Sequence, residues 1–241
     1  MIPLRDINPH RSSARVTYSI IAINIVVFVY QWSLGPAQEA FIFRYGVVPY
    51  WLSTEPQPGS LITPLTSMFM HGGVLHIVGN MWFLHVFGDN VEHALGSRRF
   101  LFFYLLCGIL AALTQVAIDP TSKVPMVGAS GAIAGVLAGY VVLFPRARIL
   151  TLVPIFIFLQ FVEIPAIFFT FIWFGYQLLM GYTALGRIGA GVGGVAFFAH
   201  IGGFVAGLAV VRWLRKRPRP TAGFRPPPAQ RQGGYRKNER W

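Results

Sequence analysis

"MVGASGAIAGVLAGYVVLF", residues 126–144, carries no charge and approaches the roughly 20 mostly apolar residues that a helix needs to cross the hydrocarbon of a bilayer. Within it Gly131, Gly135 and Gly139 recur at four-residue spacing, and the pattern returns in a later apolar run as Ala199, Gly203 and Gly207. Residues four apart lie on one helix face, and stripes of small residues let two membrane helices approach backbone to backbone. The stretch also holds a hydroxyl, Ser130, that nothing in its immediate sequence satisfies.

The rest of the chain agrees with a membrane reading. Of its 241 residues 54% are hydrophobic and 12% charged, whereas soluble domains carry roughly 25% charged residues. The expected fold class is therefore an all-α polytopic membrane protein. Six runs qualify as spans: Val16–Leu34, Leu65–Phe87, Phe100–Ile118, Met126–Phe144, Ile164–Tyr182 and Gly193–Leu214. The apolar stretch 149–162 contains Pro154 and is closed by Glu163 and Pro165; this favours an interfacial or partly buried connection, with a seventh span as the alternative. The long loop from Gly35 to Pro64 is expected on the bilayer surface.

The domain plan that follows is a polar N-terminal segment (1–15), one six-helix membrane domain (16–214) and a basic tail (215–241). The first apolar run lacks a cleavage site and reads as an anchor rather than a leader. The net charge of +12 is concentrated toward the C-terminus, where Pro, Gly, Gln and Arg alternate without apolar period. Such composition is expected to be disordered and held at an inner leaflet by anionic lipid; no RNA-binding motif accompanies it, so nucleic acid is not expected. Cys107 is alone, which excludes an internal disulfide and a thiolate metal site.

With the N-terminus inside, six spans leave only Arg44, Lys123 and Arg187 of the 20 Lys and Arg on the outer side, a strong positive-inside bias. Both termini are then cytoplasmic, in a plasma (inner) membrane. The second, fourth and sixth helices all run inward, and they carry the intramembrane polar residues: His71, His76, Asn80 and His85, then Ser130, then His200. At 1.5 Å rise per residue Ser130 falls roughly 6 Å and His200 roughly 10 Å below the outer ends of their expected helices.

Polar side chains in lipid-embedded helices are costly and mark function or helix contact. Ser130 precedes one small-residue stripe by one position and His200 follows Ala199 by one, so a crossing of the stripes brings hydroxyl and imidazole within reach. A serine becomes a nucleophile when an adjacent base removes its proton, and His200 is the candidate base. Ser130 also sits in the first turns of its helix, where free amides and the positive dipole end favour developing negative charge. His76 and Asn80, four apart on one face, are further candidate oxyanion donors, whereas helical phase turns His71 and His85 away. No carboxylate is placed as a third member, so a dyad is expected.

Each signal has a structural explanation of its own. A serine among glycines is a common packing residue, His200 could be an interhelical donor, and His76 with Asn80 could be a polar pair. Four histidines on one segment suggest a metal, but their spacings do not converge as His-xxx-His would, and neither metal nor cofactor is expected.

Taken together, "HGGVLHIVGN" (71–80), "GDNVEHALGSRRF" (88–100), "GASG" (128–131) and "AHIGGFVAG" (199–207) resemble the rhomboid family of intramembrane serine proteases. The resemblance implies a six-helix bundle around a water-filled cavity, Ser130 as nucleophile, His200 as general base, and His76 with Asn80 as oxyanion donors. It also implies transmembrane segments of other proteins as substrates. Two departures stand out: the Trp-Arg pair of many members is replaced by Leu61 and Ile62, and the aromatic that some members place one turn after the serine is Ala134. Rival readings are a catalytically silent relative that binds transmembrane segments, and a small transporter, which would show midplane charge pairs or an internal repeat.

Overall fold

The computed structural model describes residues 1–8, 14–155, 158–186 and 196–215. The chain runs β1 (Ile2–Asp6), α1 (Arg15–Ser33), three short helices α2 (Gln38–Tyr45), α3 (Pro49–Ser53) and α4 (Thr63–Thr66), then α5 (Val74–Leu95), α6 (Ser97–Ile118), α7 (Ser130–Leu143), β2 (Arg148–Ile155), β3 (Phe158–Pro165), α8 (Ala166–Leu185) and α9 (Phe197–Leu214).

Among the described residues α1, α6, α8 and α9 are each long and apolar enough to cross a membrane. Much of their apolar surface is left uncovered by the protein, for example Val26, Phe171, Tyr182 and Trp213, which suits helices whose outer faces meet lipid tails rather than water. The expected second span, Leu65–Phe87, is broken: the segment Ser60–Phe69 meets α5 at an angle of 78°. The break falls at Met70–Gly73, and the buried peptide groups of His71 within it are taken up by Gln31 of α1, which donates to the His71 carbonyl at 2.6 Å and accepts from the His71 amide at 3.3 Å.

The expected fourth span is also shorter than the sequence suggests. Helix α7 has 14 residues, about 21 Å at 1.5 Å per residue, against a hydrocarbon thickness of about 30 Å. Residues 126–129 are not helical, and Ser130 is the first residue of α7. The described residues thus offer four long apolar helices, a bent pair that makes a fifth if it is one span, and the shorter apolar helix α7 at the places of the six expected spans. At the fifth and sixth spans the helices begin at Ala166, after Pro165, and at Phe197; residues 193–195 of the expected sixth span lie outside the described residues, as do Arg187 and tail residues 216–241.

The purely α-helical expectation needs correcting as well. Strands β2 and β3 pair antiparallel with register Arg148↔Pro165 through Ile155↔Phe158, and β1 adds to the other edge of β2 with Ile2 opposite Leu152. The stretch is rich in β-branched and aromatic residues, which favour the pleated form. Residues 149–155 and 158–162 are therefore strand, not helix. The N-terminal segment is tied to this sheet, with the Ile7 amide donating to the Arg148 carbonyl at 3.0 Å.

The centre of the molecule is the packing of α7 against α6 and α9. A Cβ at Gly203 would stand 2.0 Å from the Gly131 carbonyl oxygen, and one at Gly207 2.4 Å from that of Gly135. On the α6 side a Cβ at Gly131 or Gly135 would lie 2.5 Å from Cβ of Ala111 or Cys107, while Gly139 sits against Phe103 and Val211 and Ala199 is buried. The two small-residue stripes meet as their spacing requires.

Glu92, near the end of α5, is one of the two carboxylates in "GDNVEHALGSRRF". It is buried and accepts from the amides of Val16 and Thr17 at 3.0 and 2.7 Å, from the Thr17 hydroxyl at 2.8 Å and from the Ser97 hydroxyl at 2.6 Å. Its charge is thereby placed on the free amides and positive dipole end of α1.

Candidate active site

Ser130 stands at the start of α7 because the chain before it is held open by backbone pairing with the long loop. Val47 and Met126 exchange amide-to-carbonyl bonds at 3.0 and 2.7 Å, Tyr50 donates to Ser122, and the Gly128 amide donates to the Ser67 carbonyl at 2.9 Å. These bonds anchor a loop that lacks the Trp-Arg pair, and Leu61 and Ile62 at the corresponding place are exposed. Non-helical backbone at such a position is satisfied without a continuous helix, so the first amides of α7 face a cavity.

That cavity has a volume of about 1110 Å³ and is lined by Ser130, His200, His76, Asn80, Trp173 and Gln177 among others. Ser130 Oγ lies 2.7 Å from His200 Nε2. His200 is in the first turn of α9 and buried, and the glycine stripe of α9 brings it alongside the start of α7.

His76 and Asn80 line the same cavity from α5. The Gly72 amide donates to His76 Nδ1 at 3.4 Å, which leaves the imidazole proton on Nε2. That end of the ring faces Gly128: a Cβ there would sit 2.8 Å from both Cε1 and Nε2 of His76 and 3.6 Å from Ser130 Oγ. Gly128 adopts φ +134°, in the region that only glycine enters readily, so both space and backbone call for glycine here. Asn80 Nδ2 is buried and has no hydrogen-bond partner among the described residues. A buried amide donor without an acceptor is costly and is accounted for if an oxygen from a ligand completes it.

Helical phase misplaced His71. Helix α5 starts at Val74, so His71 lies on the extended break before it, and its ring packs edge-on against His76 with centroids 5.1 Å apart. His85, by contrast, faces Tyr18 of α1 with ring centroids 6.0 Å apart, away from the site.

Two residues of α8 were not singled out by the sequence. Gln177 Oε1 is 2.8 Å from His200 Nδ1, and the Trp173 ring lies 6.0 Å from the imidazole, with Phe197 at 6.5 Å on another side. This is how the histidine ring is held where Ala134 offers no aromatic. The only sequence signal was the pair Trp173 and Gln177 four apart in an apolar run, which does not by itself point at α9.

The arrangement provides a hydroxyl paired with an imidazole, a donor-rich pocket beside it and a cavity large enough for an extended peptide segment. A family model described as the Rhomboid domain matches residues 58–217. The chain is 32% identical over 143 residues to presenilin-associated rhomboid-like protein A, mitochondrial, of Danio rerio, covering 58% of this chain and 35% of that protein. It is 32% identical over 148 residues to the Homo sapiens presenilin-associated rhomboid-like protein, mitochondrial, covering 60% and 37%. Against rhomboid protease GluP of Bacillus subtilis it is 32% identical over 137 residues, covering 56% and 26%. The chain thus spans well under half the length of these relatives.

Proposed function

Because the chain belongs to the rhomboid family, we propose that it is an intramembrane serine endopeptidase that hydrolyses peptide bonds in or near transmembrane segments of other proteins, using Ser130 and His200. The observation that carries the reading is the 2.7 Å contact between Ser130 Oγ and His200 Nε2 at a cavity wall. In the forward step Nε2 accepts the hydroxyl proton as Oγ attacks the scissile carbonyl carbon. The developing oxyanion is stabilised by His76 Nε2–H, Asn80 Nδ2–H and amides at the start of α7. The protonated imidazole then gives its proton to the leaving amine, and water, deprotonated by the same nitrogen, releases the acyl group from Ser130.

The substrate must present an unwound stretch, since an intact helix keeps its carbonyls in internal hydrogen bonds. In this reading the six helical passes form one domain with both termini cytoplasmic in a plasma-type (inner) membrane, and the basic tail rests on anionic lipid. The alternative, a silent relative that binds transmembrane segments, is disfavoured by the intact hydroxyl–imidazole pair.

Labelling of the purified protein with a serine-directed fluorophosphonate tests the proposal. The wild type is expected to label, and Ser130→Ala and His200→Ala are not. A wild type that folds but stays unlabelled would remove the protease reading and leave the binder.

A further inference from the structure

The geometry points to Gln177 as a positioning residue that fixes the tautomer of His200, completing a Ser130–His200–Gln177 chain in which a neutral amide stands where hydrolytic triads place a carboxylate. This inference rests on the proposed roles of Ser130 and His200. Among the described residues the hydrogen bonds of the His200 ring run to Ser130 at Nε2 and to Gln177 at Nδ1, at 2.7 and 2.8 Å. The carbonyl oxygen of an amide only accepts, so its approach to Nδ1 requires the proton there. Nε2 is then left with its lone pair toward the Ser130 hydroxyl, which donates. This is the tautomer that a general base needs.

Gln177 is itself held for the task. It is buried, one turn beyond Trp173 on α8, so the two side chains close on the imidazole from a single helix face. A carboxylate at this place would have to be desolvated within the bundle, whereas an amide fixes the ring at far smaller desolvation cost and lends only its dipole to the imidazolium formed during the reaction. The chain therefore orients its base through hydrogen-bond geometry and relies on the oxyanion donors for most of the charge stabilisation.

The test separates orientation from packing. The rate constant of inactivation and the apparent affinity for a fluorophosphonate are measured on the full-length protein for wild type, Gln177→Met and Gln177→Glu. Methionine keeps the volume and removes the acceptor; glutamate keeps the acceptor. The expected result is an inactivation rate lowered by about 10- to 100-fold in Gln177→Met with apparent affinity unchanged, and recovery in Gln177→Glu to within a few-fold of wild type. Equal rates for Gln177→Met and wild type would overturn the inference, as would a Gln177→Glu rate as low as that of Gln177→Met. If Gln177→Met does not fold, Gln177→Asn, one methylene short of Nδ1, takes its place with the same expected loss and the same overturning result. A wild type that does not label at all would instead count against Ser130 and His200 themselves.

Discussion

Ser130 Oγ and His200 Nε2 lie 2.7 Å apart although 70 residues separate them in the chain. They meet because the glycines beside them do: with no side chain at Gly203, α9 seats its backbone against the Gly131 carbonyl, and the flanking hydroxyl and imidazole arrive at the same level. If the two act as one unit, their losses are not additive. Ser130→Ala and His200→Ala should each lower cleavage of a single-span reporter protein by at least about 10⁴-fold, and the double variant should be no slower than either. A double variant slower by the product of the two effects would show that they act separately.

The oxyanion assignment predicts a different signature. Asn80→Ala and His76→Ala remove donors that act as charge develops, so kcat should fall about 10²- to 10³-fold while KM changes little. Steady-state kinetics in liposomes measures both. A rise in KM at constant kcat would make these residues substrate-binding groups instead.

Close packing at the helix crossing can be tested against an open position. In Gly203→Ala the new methyl meets the Gly131 carbonyl oxygen at 2.0 Å, so α7 and α9 must part; a loss of about 1 to 3 kcal/mol is expected, together with lost activity. In Gly175→Ala on α8 the methyl meets nothing within 4 Å, and stability should hold or rise by up to about 1 kcal/mol. Thermal unfolding in detergent ranks the two.

Glu92 should prove structural rather than catalytic. Glu92→Ala strips the Val16 and Thr17 amides of their acceptor and should lower stability by about 2 to 3 kcal/mol. The rate of Ser130 labelling in the fraction that remains folded should be unchanged. An unaltered unfolding temperature would contradict the capping role.

Much of the candidate site's arrangement was legible in the sequence because helix geometry is local. Four-residue spacing alone put His76 with Asn80 and aligned the two small-residue stripes, and polar groups in apolar runs marked Ser130 and His200 as candidates, which the structure places in contact at one cavity. Local reasoning failed where its premise of an unbroken helix failed. His71 was assigned a direction by phase, yet the chain is extended at Met70–Gly73, where Gln31 of α1 satisfies the peptide groups. The run 149–162 reads equally well as buried helix or strand by hydrophobicity, and pairing of its described residues with one another and with residues 2–6 settled them as sheet.

By itself, then, the sequence determined that most of the chain is apolar helix, which faces of the helices carry the candidate polar residues and which two stripes must cross. The tertiary structure decided where α7 begins, how its free amides open onto a cavity, and that Gln177 and Trp173 of α8 hold the imidazole. The physical reason is range: periodicity follows from the rise and turn of a single helix, whereas a hydrogen bond between helices exists only once loops, breaks and packing have set their depth and rotation.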